Sequence, residues 1–93
     1  MIKPLQEQLA QAAEVLKSYG AREVYVFGSA ATGTMDEYSD IDIAVSGIPD
    51  ELFFRAMGQA GDCLNRQIDL IDLDEENPFT RYLKEENELV PIG

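Results

Sequence analysis

The chain contains no histidine and no tryptophan, one cysteine, and seven basic residues against eighteen acidic ones. The absence of histidine removes the usual general base and the commonest zinc ligand. The single cysteine, Cys63, has no internal partner for a disulfide, which fits a reducing compartment. The formal net charge of −11 leaves too few bases to build the basic face that a free-standing nucleic-acid binder needs. An anionic membrane surface is disfavoured for the same reason. Apolar runs reach only about four residues, far short of a membrane span. Met1-Ile2-Lys3-Pro4-Leu5-Gln6 turns polar at once, unlike a secretory signal. The expectation is a soluble cytoplasmic protein attracted to a metal cation or a basic protein partner.

What is present is ordinary globular material. The 93 residues are 45% hydrophobic and 27% charged. A typical domain has about 150 residues, so one domain over 1–93 is expected. A chain this short buries only about 60–65% of its unfolded surface, so its stability should be modest.

Leu5, Leu9, Ala12, Ala13 and Leu16 recur at helical spacing before Gly20, predicting a helix over about 5–19. Glu23–Phe27 is β-branched and aromatic and ends at Gly28, the mark of a strand. Residues 30–34 allow a short helix or turn before a polar loop to Ser39. Ile41, Ile43 and Val45 then alternate with Asp40, Asp42 and Ala44 in strand periodicity. Asp50 is a plausible N-cap for a second long helix with Leu52, Phe53, Ala56, Met57, Ala60 and Leu64 on its apolar stripe. Ile68, Leu70, Ile71 and Leu73 mark a third strand. Asn77-Pro78 reads as cap and first turn of a last helix, and Leu89-Val90 as a last short strand. The order α-β-α-β-α-β-α argues for an α/β fold, a small sheet backed by helices.

The chemistry concentrates in three places. Asp40 and Asp42 share one strand face, about 6.6 Å apart along the chain. Two carboxylates so placed repel by roughly 2.5 kcal/mol at an effective dielectric of 20. A divalent cation such as Mg²⁺ relieves that repulsion. The bland alternative is a solvent-facing strand side that happens to be acidic. Gly28-Ser29 sits where the first strand ends, offering free backbone N–H groups, room for a phosphate and a hydroxyl. By itself it is a common turn. Asp69, between Ile68 and Leu70, is an acid in an apolar strand and needs a partner, which the Asp40/Asp42 pair could supply. Asp72 competes with it but points to the opposite face.

Together these residues resemble the DNA polymerase β-type nucleotidyltransferases. The pattern is an apolar strand, Gly28-Ser29, ten intervening residues, Asp40-Ile41-Asp42-Ile43, then Ile68-Asp69-Leu70. Ser39-Asp40-Ile41-Asp42 looks most like the minimal (MNT) branch, whose members pair with HEPN-domain partners in toxin–antitoxin modules. The resemblance runs from Glu23 to about Leu83 and implies the small mixed β-sheet of that family. It also implies ATP as substrate. Gly28 and Ser29 would hold the triphosphate, with Ser39 beside it. Asp40 and Asp42 would bind two Mg²⁺ ions. Asp69 would complete the metal that activates the acceptor hydroxyl and take its proton. In antitoxin relatives AMP goes to a tyrosine of the HEPN toxin, which implies a hetero-oligomer. Many relatives carry an arginine soon after Gly-Ser, where this chain has Ala30-Ala31-Thr32. Arg66 or the partner would have to substitute. The alternative reading is therefore a weak or inactive antitoxin that neutralises its partner by binding.

Other readings fit less well. A phosphatase with an aspartyl nucleophile wants Thr or Val where Ala44 stands, and a larger domain. Gly28-Ser29-Ala30 lacks the second glycine of a dinucleotide fingerprint, and no Walker A lysine follows. Cys63 reads as a structural thiol, since no histidine exists to activate it. At this size the acceptor must be recognised partly by itself or be a protein that docks.

Overall fold

A computed structural model of the chain describes residues 5–28, 40–86 and 88–92. Ser29, Ser39, Gly33, the expected short helix over 30–34 and the loop to 39 lie outside the described residues.

The elements run α1 (Leu5–Ser18), β1 (Glu23–Phe27), β2 (Ile41–Ser46), α2 (Asp50–Leu64), β3 (Ile68–Asp72), α3 (Pro78–Glu85) and β4 (Val90–Pro91). The four strands form one mixed sheet in the order β3-β2-β1-β4. β1 lies antiparallel to β2 and β4, while β2 and β3 are parallel. A parallel neighbour requires a crossover, and α2 supplies it.

Strand alternation divides the sheet into two unlike faces. Val24, Val26, Ile41, Ile43, Val45, Ile68 and Leu70 are buried against α1 and α2 in the main core. The two helices meet through small residues: Ala12 and Ala13 of α1, Ala56 and Ala60 of α2, all without exposed surface. Small side chains at a helix contact allow close approach of the axes. Cys63 packs at the margin of this core as a free thiol. The opposite face carries a smaller cluster of Phe27, Ala44, Leu73 and Leu83, with Tyr25, Ile71 and Leu89 beside it. There α3 covers the middle of the sheet, so the acidic side of β2 is not a solvent face along its length. Ala44, which alternates with the acids, is completely buried.

α3 starts where the sequence predicts. Asn77 Oδ1 accepts from Thr80 N–H at 2.9 Å and Thr80 Oγ1 accepts from Asn77 N–H at 3.1 Å, a closed capping box. Thr80 Oγ1 also donates to the Glu75 carbonyl at 2.7 Å, which satisfies this buried hydroxyl.

Three local expectations shift. Pro49, not Asp50, occupies the N-cap position of α2, with no side-chain cap; Asp50 and Glu51 instead place charge in the first turn, where the helix dipole favours it. The last strand is Val90–Pro91 rather than Leu89-Val90. It has only an edge to follow, pairing Val90 with Val26 and Pro91 with Tyr25. The first helix ends one residue early, at Ser18. Among the described residues, no helix is long and apolar enough to cross a membrane.

Candidate active site

The end of β1 and the starts of β2 and β3 meet at one end of the sheet. The register places Phe27 opposite Asp42 and Asp42 opposite Asp69. Asp42 and Asp69 thus project from neighbouring strands on the face that α3 covers only in part. Adjacent strands lie about 4.8 Å apart, so the two carboxyl groups are brought together by the sheet itself. Their carboxyl groups stand beside one another across the two strands.

Electrostatics at the pair follow from this placement. The Asp42 carboxyl is held above its ordinary range, first by burial, then by the charge of Asp69, then by the charge of Asp40. Asp42 is half-buried, whereas Asp40 and Asp69 are exposed. Asp40 lies one residue before β2 begins, close enough to act on Asp42 through its charge. Among the described residues, no three Asp, Glu, Cys or His side chains stand together as a formed metal cage. The described residues place Asp42 and Asp69 side by side, with Asp40 as a nearby third charge. The donors still suit a hard divalent cation: oxygen atoms only, crowded against one another.

Gly28 bears on the acids more directly than the sequence suggests. Its φ is +67°, and a Cβ added there would come within 2.5 Å of Asp42 Oδ2. The bare backbone at this turn is what leaves the Asp42 carboxylate its position. Its expected role beside a phosphate comes in addition to this. Arg66 lies two residues before Ile68, which pairs with Ile41, so it belongs to the same end of the sheet as Asp40.

Asp72 is on the other face and has a different occupation. Its Oδ1 accepts from Asp74 N–H at 2.9 Å, closing the turn after β3. It takes no part in the pair.

Sequence reasoning missed the aromatic side of the site. Phe27, the register partner of Asp42, is 8% exposed, and Phe79 of α3 meets it edge-on at 6.0 Å between ring centres. The cap at Asn77-Pro78 announced the helix, but nothing in one sequence says which sheet face the helix covers.

The arrangement is a carboxylate pair at a strand end, bounded by a glycine turn on one side and an aromatic contact on the other. A model of the family described as "Polymerase beta, Nucleotidyltransferase" matches residues 10–90. No curated protein matches the chain by sequence. Among solved structures, a protein assigned as a minimal nucleotidyltransferase is similar over 97% of both chains, with 26% identity and a TM-score of 0.75. A toxin–antitoxin structure with AMP-PNP is similar over 92% of this chain and 70% of its own, with 21% identity and a TM-score of 0.72. A complex of a tri-AMPylated Shewanella oneidensis HEPN toxin with its MNT antitoxin matches 80% of this chain and 60% of its own, with 22% identity and a TM-score of 0.61. With the family model spanning nearly its whole length, the chain belongs to the polymerase beta nucleotidyltransferase family.

Proposed function

We propose that this protein is an Mg²⁺-dependent nucleotidyltransferase that moves AMP from ATP to a tyrosine hydroxyl of a HEPN-domain partner and thereby neutralises it. The observation that carries the reading is the Asp42/Asp69 pair, aligned across two parallel strands and crowded by Asp40. The likeness to antitoxin complexes, one with AMP-PNP and one with a tri-AMPylated HEPN toxin, supports the choice of nucleotide and partner.

In this reading Asp40, Asp42 and Asp69 hold two Mg²⁺ ions, and Gly28, Ser29 and Ser39 hold the triphosphate. Bound Mg²⁺ neutralises the carboxylates and stabilises the charge that builds on the attacking and leaving oxygens. Asp69 is the exposed member of the pair and receives the proton of the acceptor hydroxyl. The acceptor oxygen forms a bond to the α-phosphorus as the bond to pyrophosphate breaks in line, and pyrophosphate leaves. Asp42, half-buried and held by its neighbours, keeps Asp69 in register. Carboxylates and metal suffice for this chemistry, so histidine is dispensable.

A second reading is neutralisation by occlusion. It is favoured by Ala30-Ala31-Thr32 in place of an arginine. One experiment separates the two. The chain is mixed with ATP, Mg²⁺ and a HEPN-domain protein, and that protein is weighed by mass spectrometry. Transfer predicts an added AMP mass on tyrosine, lost in chelator and in Asp42→Asn. Neutralisation without added mass supports occlusion.

A further inference from the structure

Along the outer edge of β3 runs an open groove of about 1060 Å³ that the acid pair does not use. One wall is Phe53 and Phe54 of α2, the other is Phe79 of α3, and the floor is the strand from Leu70 to Asp72. Phe54 is 76% exposed and Phe79 47%, unusual waste for large apolar rings in so small a protein. The Phe54 ring stands edge-on against Phe53 at 5.9 Å, which supports it in its exposed position. The rim is acidic, with Asp50, Asp72 and Glu75, and no lysine or arginine lines it. Among the described residues, β3 pairs only with β2, so its outer backbone edge has no strand neighbour. Natural edges are commonly blunted by lysine, proline or a bulge; this one is flanked by aromatics and acids.

We propose that the groove docks an extended basic segment of a partner polypeptide, added as a further strand along β3. The backbone of the segment pairs with the free edge, its apolar side chains meet the phenylalanines, and its lysines or arginines meet the acidic rim. Charge complementarity selects this occupant. A second copy of the chain would bring its own −11 charge and the same acidic rim, setting like charges opposite one another. The position carries a consequence for catalysis. Asp69 lies on the same strand, three residues before Asp72, or about 10 Å along it. A docked segment therefore runs past the acid pair and can present a hydroxyl to it. That consequence rests on the transfer reading; the docking does not.

The test is binding of a fluorescein-labelled peptide of about eight alternating arginines and leucines, followed by fluorescence anisotropy without nucleotide. Controls are the glutamate–leucine counterpart and an arginine–leucine peptide N-methylated so that one backbone edge cannot donate. The parent should bind the arginine–leucine peptide saturably and neither control. Phe54→Ser and the double variant Asp50→Asn/Glu75→Gln should each weaken binding about tenfold or more. Glu7→Gln/Glu14→Gln, which removes the same charge from exposed positions of α1, should bind as the parent does. Amide NMR shifts should concentrate at Leu70, Ile71 and Asp72. Asp69→Asn should still bind, so a failure of transfer leaves the docking result standing. Absence of binding overturns the proposal, as does equal weakening by the Glu7/Glu14 variant or shifts centred elsewhere. A dimer in sedimentation that Phe54→Ser dissolves also overturns it, by assigning the groove to a second copy.

Discussion

The two ends of β3 carry the same residue type in opposite conditions. At its end, Asp72 and Asp74 are satisfied. Asp72 accepts from Asp74 N–H at 2.9 Å, Asp74 Oδ2 accepts from Gly47 N–H at 2.7 Å, and Asp74 Oδ1 lies 3.6 Å from Arg22. These carboxylates hold turns and join β3 to the end of β2. At its start, Asp69 meets Asp42 and the charge of Asp40, with the Asp42 carboxyl raised by its surroundings. The difference separates two kinds of acid: a carboxylate held by backbone donors stabilises the fold, and one crowded by other carboxylates costs stability that a cation would relieve.

Breaking the crowded end should have the largest effect on chemistry and the least on folding. Asp42→Asn and Asp69→Asn should each lower nucleotidyl transfer by orders of magnitude in a mass-spectrometric assay. Neither should unfold the chain, because the change removes a repulsion of about 2.5 kcal/mol before solvent screening and keeps the shape. Gly28→Val sharpens the point. A side chain there must displace the Asp42 carboxylate, so transfer should fall even where ATP affinity is retained; ATP titration beside the transfer assay separates the two effects.

Breaking the satisfied end should do the reverse. Gly47 has φ +102°, and a Cβ there would sit 2.7 Å from the Gly20 carbonyl oxygen. Gly47→Ala should cost about 2 kcal/mol in denaturant unfolding. Asp74→Ala removes the acceptor of Gly47 N–H and should cost about 1 kcal/mol, the exposed Arg22 contact adding little. Both should leave transfer per folded molecule within a few-fold. The smallest effect belongs to Asp72→Asn, which keeps the Oδ1 acceptor and lies on the other sheet face; stability should change by less than about 0.5 kcal/mol and transfer hardly at all.

Much of this contrast was legible in the sequence because strand periodicity is a strong signal. Asp40-Ile41-Asp42-Ile43 can put its isoleucines in a core only by turning Asp42 outward, and Ile68-Asp69-Leu70 does the same for Asp69. The structure bears out that Asp69 and Asp72 take opposite faces, since Ile68 and Leu70 lie in the main core and Ile71 in the second cluster. Asn77-Pro78 announced its helix through cap chemistry, which is local. What stayed hidden depends on distant contacts. That α3 lies over Ala44 and Phe27, that Gly28 abuts Asp42, and that Phe53, Phe54 and Phe79 border one groove are properties of packing between segments far apart in the chain. The N-cap of α2 was misplaced by one residue because Asp is favoured both at the cap and in the first turn, so composition alone does not separate the two positions.

The most direct measurement of the central claim is a set of thermal melts of the parent, Asp69→Asn and Asp74→Ala, in chelator and in Mg-ATP. In chelator, Asp69→Asn should melt at or above the parent and Asp74→Ala, which loses the acceptor of Gly47 N–H, below it. At ten times its Kd, Mg-ATP should stabilise the parent by about 1.4 kcal/mol, Asp74→Ala by the same amount, and Asp69→Asn by less. If Asp69→Asn instead melts well below the parent in chelator, or gains as much from Mg-ATP, Asp69 is a structural acceptor like Asp74 and the contrast between the two ends of β3 fails.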